Sequence, residues 1–211
     1  MTELRVYIQI DDLQPQLAAY LGSPIRGRGY PAVEGHNSII IEVAPALAIH
    51  QVVNLALKKS PDLEPGLLFV ERQFGILELH SDDADELHAA GQAILDGIGC
   101  KAEDQLKPKT LFSDIIEDIG DTHAVILNRS RYASMILPGQ SLLVYEMTPA
   151  LFATIAANEA EREVPEVTLV DTEIIGASGR IFMSGKIQDL KKAQKTIDRV
   201  LKSVKGRTAR K

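Results

Sequence analysis

The hydrophobic positions of this chain change period along its length. Leu4-Arg-Val-Tyr-Ile-Gln-Ile10 alternates apolar with polar or amphipathic side chains, which predicts a half-buried strand. Asp11 and Asp12 offer caps for a helix through Leu21, and Pro15 falls early enough in it to be tolerated. Residues 22–38, punctuated by glycines and prolines, lack helical periodicity and read as turns and short strands. From Ile39 to Val43 every residue but Glu42 is apolar, so this strand is expected to be buried on both faces. A helix to Lys58 follows, with Ile49, Val52, Val53 and Ala56 on one stripe. Leu67–Arg72 and Phe74–Leu79 are strand-like runs around Gln73. The acidic stretch Asp82–Glu86 suits the N-terminus of a helix that turns Leu87, Ala90, Ile94 and Ile98 inward.

Much of this is then said again. An offset of 104 positions carries Gly35 to Gly139, Glu42 to Glu146, Pro45 to Pro149, Asn54 to Asn158, Ala56 to Ala160 and Gly75 to Gly179. The second helix stripe is Ala153, Ala156, Ala157 and Ala160, the second hairpin runs from Val167 to Met183 around Ala177 and Ser178, and Leu190, Ala193, Ile197 and Leu201 mark the closing helix. Identical punctuation at one register means two copies of one domain. We place them at 1–104 and 105–206, with 207–211 as a basic, disordered tail. Strand, helix, strand, hairpin, helix gives an α/β chain: an α+β sandwich with helices on one side of a mostly antiparallel sheet.

Composition narrows the function. A net charge of −6 argues against general nucleic-acid binding, and no apolar run approaches the ~20 residues of a membrane span, so a cytosolic protein with no membrane partner is expected. The single cysteine, Cys100, excludes an internal disulfide and a thiolate cluster. The five histidines show no metal-ligand spacing and read as surface or strand-end residues; no metal and no cofactor are expected. Gly27-Arg-Gly29-Tyr-Pro31 begins like a phosphate loop, but no helix follows to aim its N-terminus at an anion. Arginines 129 and 131 have no general base beside them, which disfavours an enzyme. Glu71-Arg72, an opposite-charge pair at a hairpin tip, stands out; the second copy answers with Gly176-Ala177-Ser178-Gly179, uncharged and permissive.

Leu4-Arg-x-Tyr, Leu13-Gln-Pro-Gln-Leu-Ala-Ala-Tyr-Leu-Gly22, Val43-Ala-Pro45, Val70-Glu-Arg72, Leu106-Lys-Pro108, Ile126-Leu-Asn-Arg129, Leu137-Pro-Gly139 and Ala156-Ala-Asn-Glu-Ala-Glu161 together resemble the tandem-domain (BMC-T) bacterial microcompartment shell proteins, of the permuted, double-stacking carboxysome type. The resemblance implies two circularly permuted, ferredoxin-like BMC domains per chain, in a shell protein that is not an enzyme and lies in the bacterial cytoplasm. It implies a homotrimer forming a pseudohexagonal tile with a gated central pore for small charged metabolites, a dimer of trimers on stacking, and other shell proteins as neighbours.

By the same resemblance, Glu71 and Arg72, with Gln73, correspond to the pore gate, and Gly176, Ala177, Ser178 and Gly179 line the same pore. At a threefold axis an opposite-charge contact at about 4 Å is worth about 4 kcal/mol at an effective dielectric near 20, before desolvation and entropy oppose it. Exchange of partners between chains then holds two loop arrangements within a few kcal/mol. Lys58 corresponds to the tile-edge lysine, with Arg162 at its place in the second copy and Asn54 and Asn158 beside them. Asn128, Arg129 and Arg131 fall near the stacking face, where a small anion is expected. Three stretches depart from the family: Gly176-Ala-Ser178-Gly-Arg180 replaces Gly-Ala-Phe-Gly-Arg, Pro24–Gly29 is more basic, and Glu34-Gly-His36 replaces Pro-Gly-Asp. The alternative is a regulatory ligand-binding α/β trimer.

Overall fold

Residues 2–23, 29–71, 73–131 and 133–209 are described by a computed structural model, Glu71 by its backbone alone. The chain divides into two compact units, Met1–Lys107 with Lys205–Lys211, and Pro108–Val204. The basic stretch Pro24–Arg28 and the gate residue Arg72 lie outside the described residues.

In the first unit, β1 (Glu3–Ile10), α1 (Pro15–Leu21), β2 (Asn37–Ala44), α2 (Ile49–Lys59), β3 (Glu64–Glu71), β4 (Phe74–Ser81) and α3 (Ala84–Ile98) follow the expected order. The sheet is antiparallel throughout, in the order β1-β2-β4-β3. On one face Ile39, Ile41, Val43, Leu77 and Leu79 meet Ile49, Val52 and Ala56 of α2 and Leu87, Ala90 and Ile94 of α3. Asp83 caps α3 with its carboxylate, accepting from the backbone N–H groups of Asp85 and Glu86. At α1 the cap position is Gln14, not Asp11 or Asp12, and Pro15 occupies the first turn, where its missing N–H costs nothing.

Helices on a single side, as the pattern suggested, is half of the arrangement. Val6, Ile8, Ile10 and Ile40 alternate onto the opposite face and are also buried. Their cover comes from α1, which buries Leu17, Ala18 and Tyr20, and from the segment to His36, tied to Leu13 by two backbone hydrogen bonds of 2.8 and 3.0 Å. Beneath that cover lies a polar cluster. Glu78, 1% exposed, accepts from Ser38 Oγ at 2.6 Å and sits 3.2 Å from His80 Nδ1, while the His80 ring stacks on His36 at 5.4 Å. His80 is a strand-end residue as expected, next to the last position of β4, but it is fully buried and not at the surface. A buried carboxylate needs such a partner. Burial alone lowers the His80 pKa, but the hydrogen bond and charge of Glu78, with Glu64 at 3.5 Å, outweigh it and leave the pKa raised.

The second unit repeats the plan: β5 (Lys109–Ile116), α4 (Asp121–Ser130), β6 (Ser141–Thr148), α5 (Phe152–Glu163), β7 (Thr168–Glu173), β8 (Gly179–Gly185) and α6 (Ile187–Ser203), with sheet order β5-β6-β8-β7. The four alanines of the predicted α5 stripe are all buried. Again a helix covers the second face, where Ala124 of α4 packs with Leu142, Val170, Ile119 and Ile136.

The unit boundary falls at Lys107/Pro108 instead of 104/105, and the tail expected to be disordered begins by returning to the first unit. Leu106 N–H donates to Arg5 O at 2.9 Å, satisfying the free edge of β1, and Arg207 bridges alongside through its own N–H to Gln105 O at 2.8 Å. The Arg207 guanidinium reaches the Glu3 carboxylate and Leu4 O.

Candidate pore and edge surfaces

The predicted gate lies at the β3–β4 hairpin, where Glu71 pairs across the strands with Phe74 and Gln73 occupies an exposed turn. A bulge between Leu4 and Val6 turns Arg5 onto the face that Glu42 and Phe74 share. Arg5 Nε donates to Glu42 Oε1 at 2.7 Å, and its guanidinium lies 3.6 Å from the centre of the Phe74 ring. Glu42 is 2% exposed; burial pushes its pKa up while Arg5 holds it back.

The repeat mate of Glu42 does something else. Glu146 Oε1 accepts from Ser178 Oγ at 2.5 Å and from Arg180 Nε at 3.3 Å, and Arg180 Nη1 also donates to Glu173 at 2.6 Å. Thr148 Oγ1 donates to Ala177 O at 3.3 Å. The Ser178 hydroxyl and then Arg180 hold the Glu146 carboxyl below its usual range. Gly176 has φ of +140°, a backbone open to glycine, and a Cβ at Gly179 would stand 2.1 Å from Ala150 O. Gly176 to Ser178 form the bend that leads into Gly179, where β8 begins as expected. Arg5 and Phe74 at the first hairpin, and Glu146, Thr148, Arg180 and Glu173 around the second turn, were not anticipated as supports, although the repeat of Glu42 at Glu146 marked where to look.

At the predicted edge, Asn54 and Lys58 are exposed on α2. Asn158 is not their equal: it is fully buried, together with Thr154 and Glu161 on the same helix, and its Nδ2 lies 3.1 Å from Glu159 Oε1. Arg162 is exposed and donates to Glu159 at 2.6 Å. In the third predicted group, the Asn128 side chain donates to Ile136 O and accepts from Ile136 N–H and Arg131 Nε at 2.7–3.2 Å, and Arg131 donates to Ala133 O. These two residues staple the segment after α4. Arg129 is exposed beside Val125 and Ile126. Among the described residues no group of three or more His, Cys, Asp or Glu is placed to hold a metal ion, and no helix is long and apolar enough to cross a membrane.

Residues 4–104 match the family model of the CsoS1D N-terminal domain. The carboxysome shell protein CsoS1D of Hydrogenovibrio crunogenus is 39% identical over 99% of this chain and 100% of its own length. The chain belongs to the tandem-domain microcompartment shell proteins. A second carboxysome member, CcmP of Synechococcus elongatus, is 36% identical over 97% of the chain and 94% of its own length. Among solved members, a double-ringed trimeric shell protein from the RMM microcompartment superposes with a TM-score of 0.94 at 56% identity, over 99% of this chain and 100% of the other. A fused, permuted hexameric shell protein from the same compartment gives 0.91 at 41% identity, covering 98% and 100%. The two antiparallel sheets are thus two permuted BMC domains. As a shell protein the chain has a structural role and no enzymatic one, within the microcompartment shell of a bacterial cytoplasm.

Proposed function

We propose that three copies of this chain close into a pseudohexagonal tile, pierced on its threefold axis by a pore that passes small charged metabolites. The carrying observation is a pair of repeated residues in opposite surroundings. Leu47 is 70% exposed, whereas its repeat mate Leu151 is 0% exposed. A head-to-tail ring supplies cover to the α2 side of each chain from the next one around the axis. The solved relative that is a double-ringed trimer supports the same reading.

In this tile the β3–β4 hairpin and the Gly176–Gly179 turn border the axis, with Glu71 and Arg72 as the gate. Lys58, with Arg162, meets neighbouring tiles and other shell proteins. Two tiles stack through a face that includes Val125, Ile126, Met135 and Leu137, each more than half exposed. Light scattering on purified protein is expected to give trimers or hexamers and electron microscopy hexagonal sheets; a stable monomer overturns the assembly. Replacing both Glu71 and Arg72 by Ala is expected to leave assembly intact and the pore open in a crystal structure, and an unaltered pore removes the gate.

A further inference from the structure

We propose that Glu146 latches the second-repeat turn, so that movement at the pore mouth is confined to the three first-repeat hairpins; this rests on the trimeric pore read above. The same glutamate is present in both repeats, and its partners decide what it restrains. In the first unit Glu42 pairs with Arg5, and Arg5 rests on Phe74, the first residue after the turn. That arrangement braces the root of the hairpin.

In the second unit Ser178 occupies the position equivalent to Phe74, and its hydroxyl donates directly to Glu146. The contact therefore reaches into the turn itself. Two residues along β6, on the same side of the strand, Thr148 holds Ala177 O. Arg180, bonded to both Glu146 and Glu173, ties together the ends of β7 and β8 that flank the turn. At its far end Gly179 is seated so closely on Ala150 that no side chain fits between them. A charge-assisted bond, a second side-chain bond and a bridging arginine thus add to a backbone seat that Gly75 shares in the first unit.

A pore built this way has three fixed walls and three adjustable ones. Opening and closing then fall to the first-repeat hairpins alone, and Ser178→Phe removes the donor that the latch uses.

Hydrogen exchange read by mass spectrometry on the assembled protein tests this, with peptides covering 174–179 and 71–75 followed in parallel. The wild type is expected to protect 174–179 more than 71–75. Ser178→Ala and Glu146→Gln are each expected to speed exchange at 176–179 about tenfold, the scale of losing one hydrogen bond to a charged group. Exchange at 71–75 stays unchanged, and Ser178→Thr, which keeps the hydroxyl, restores protection. Equal exchange in Ser178→Ala, Glu146→Gln and wild type overturns the latch, as does a rise in both segments together. Light scattering on the same samples separates the two ideas: a monomer that keeps the protection pattern removes the pore and leaves the latch, whereas a trimer without the pattern does the reverse.

Discussion

At the scale of single residues, the unusual feature is how much charge the first unit seals inside its sheet. Glu42 and Glu78 are 2% and 1% exposed, and each survives there through one basic partner. Arg5→Ala leaves the Glu42 carboxylate buried without its counter-charge. Because Arg5 is itself one-fifth exposed, the loss is expected near the lower end for such pairs, about 3 kcal/mol, read by denaturant unfolding. His80 gives a pH signature whose sign follows from its raised pKa. Its stabilisation is fully present below the ordinary histidine value of 6.5 and is lost as pH rises through the folded-state pKa. The thermal midpoint is therefore expected to fall on going alkaline from that point, and His80→Gln to flatten this part of the profile. The burial of Glu42 follows from a strand expected to be covered on both faces, but its partner Arg5 and the Glu78–His80 cluster were not legible in the sequence. Leu77-Glu78-Leu79-His80 alternates as a strand with one wet face would, and the cover contributed by α1 and by Gly29–His36, a segment with no periodicity, turns that face into an interior.

Elements were far more legible than their environments. Long amphipathic helices and the two hairpins stand where periodicity put them, and Asp83 caps α3 within the acidic run chosen for that end. The repeated glycines Gly75 and Gly179 acquire a packing reason: a Cβ would lie 2.2 Å from Ala46 O in one unit and 2.1 Å from Ala150 O in the other. Gly75→Ala and Gly179→Ala are each expected to cost about 1–3 kcal/mol or more in unfolding experiments, since backbone must move to admit one methyl group. The helix α4 escaped notice because Asp121–Ser130 buries only Ala124 fully, so its stripe is faint. The strand before it also sits out of the shared register: Val6 faces Glu42 while Phe112 faces Glu146, a step of 106 instead of 104. Phe112 is 54% exposed where Val6 is fully buried, so even aligned positions of the two copies carry different burdens.

For the whole molecule, the repeat announced two domains, and the motifs announced a family that the relatives bear out. The Ile/Val stripe of α2 against the all-alanine stripe of α5 already told the copies apart; what the sequence concealed was which of two identical residues stays outside. Leu47 and Leu151 are the same residue in the same register, and nothing local distinguishes one that is buried from one that is 70% exposed. Leu47→Asp is expected to leave the fold and the circular dichroism spectrum unchanged while shifting the light-scattering mass to that of the single chain. A charge at Leu151, already inside, is expected instead to cost several kcal/mol of stability. An unshifted mass for Leu47→Asp removes that leucine from the ring contact.

The grip of Arg207 on Glu3 and Leu4 has an engineering corollary. Residues 3 and 207 are near neighbours, so a short glycine bridge can splice them into a closed loop of polypeptide. Fresh termini cut at the solvent-facing Pro165–Glu166 corner would then start the reading frame at β7, giving a reshuffled gene for the same architecture and a new address on the plate for attached cargo.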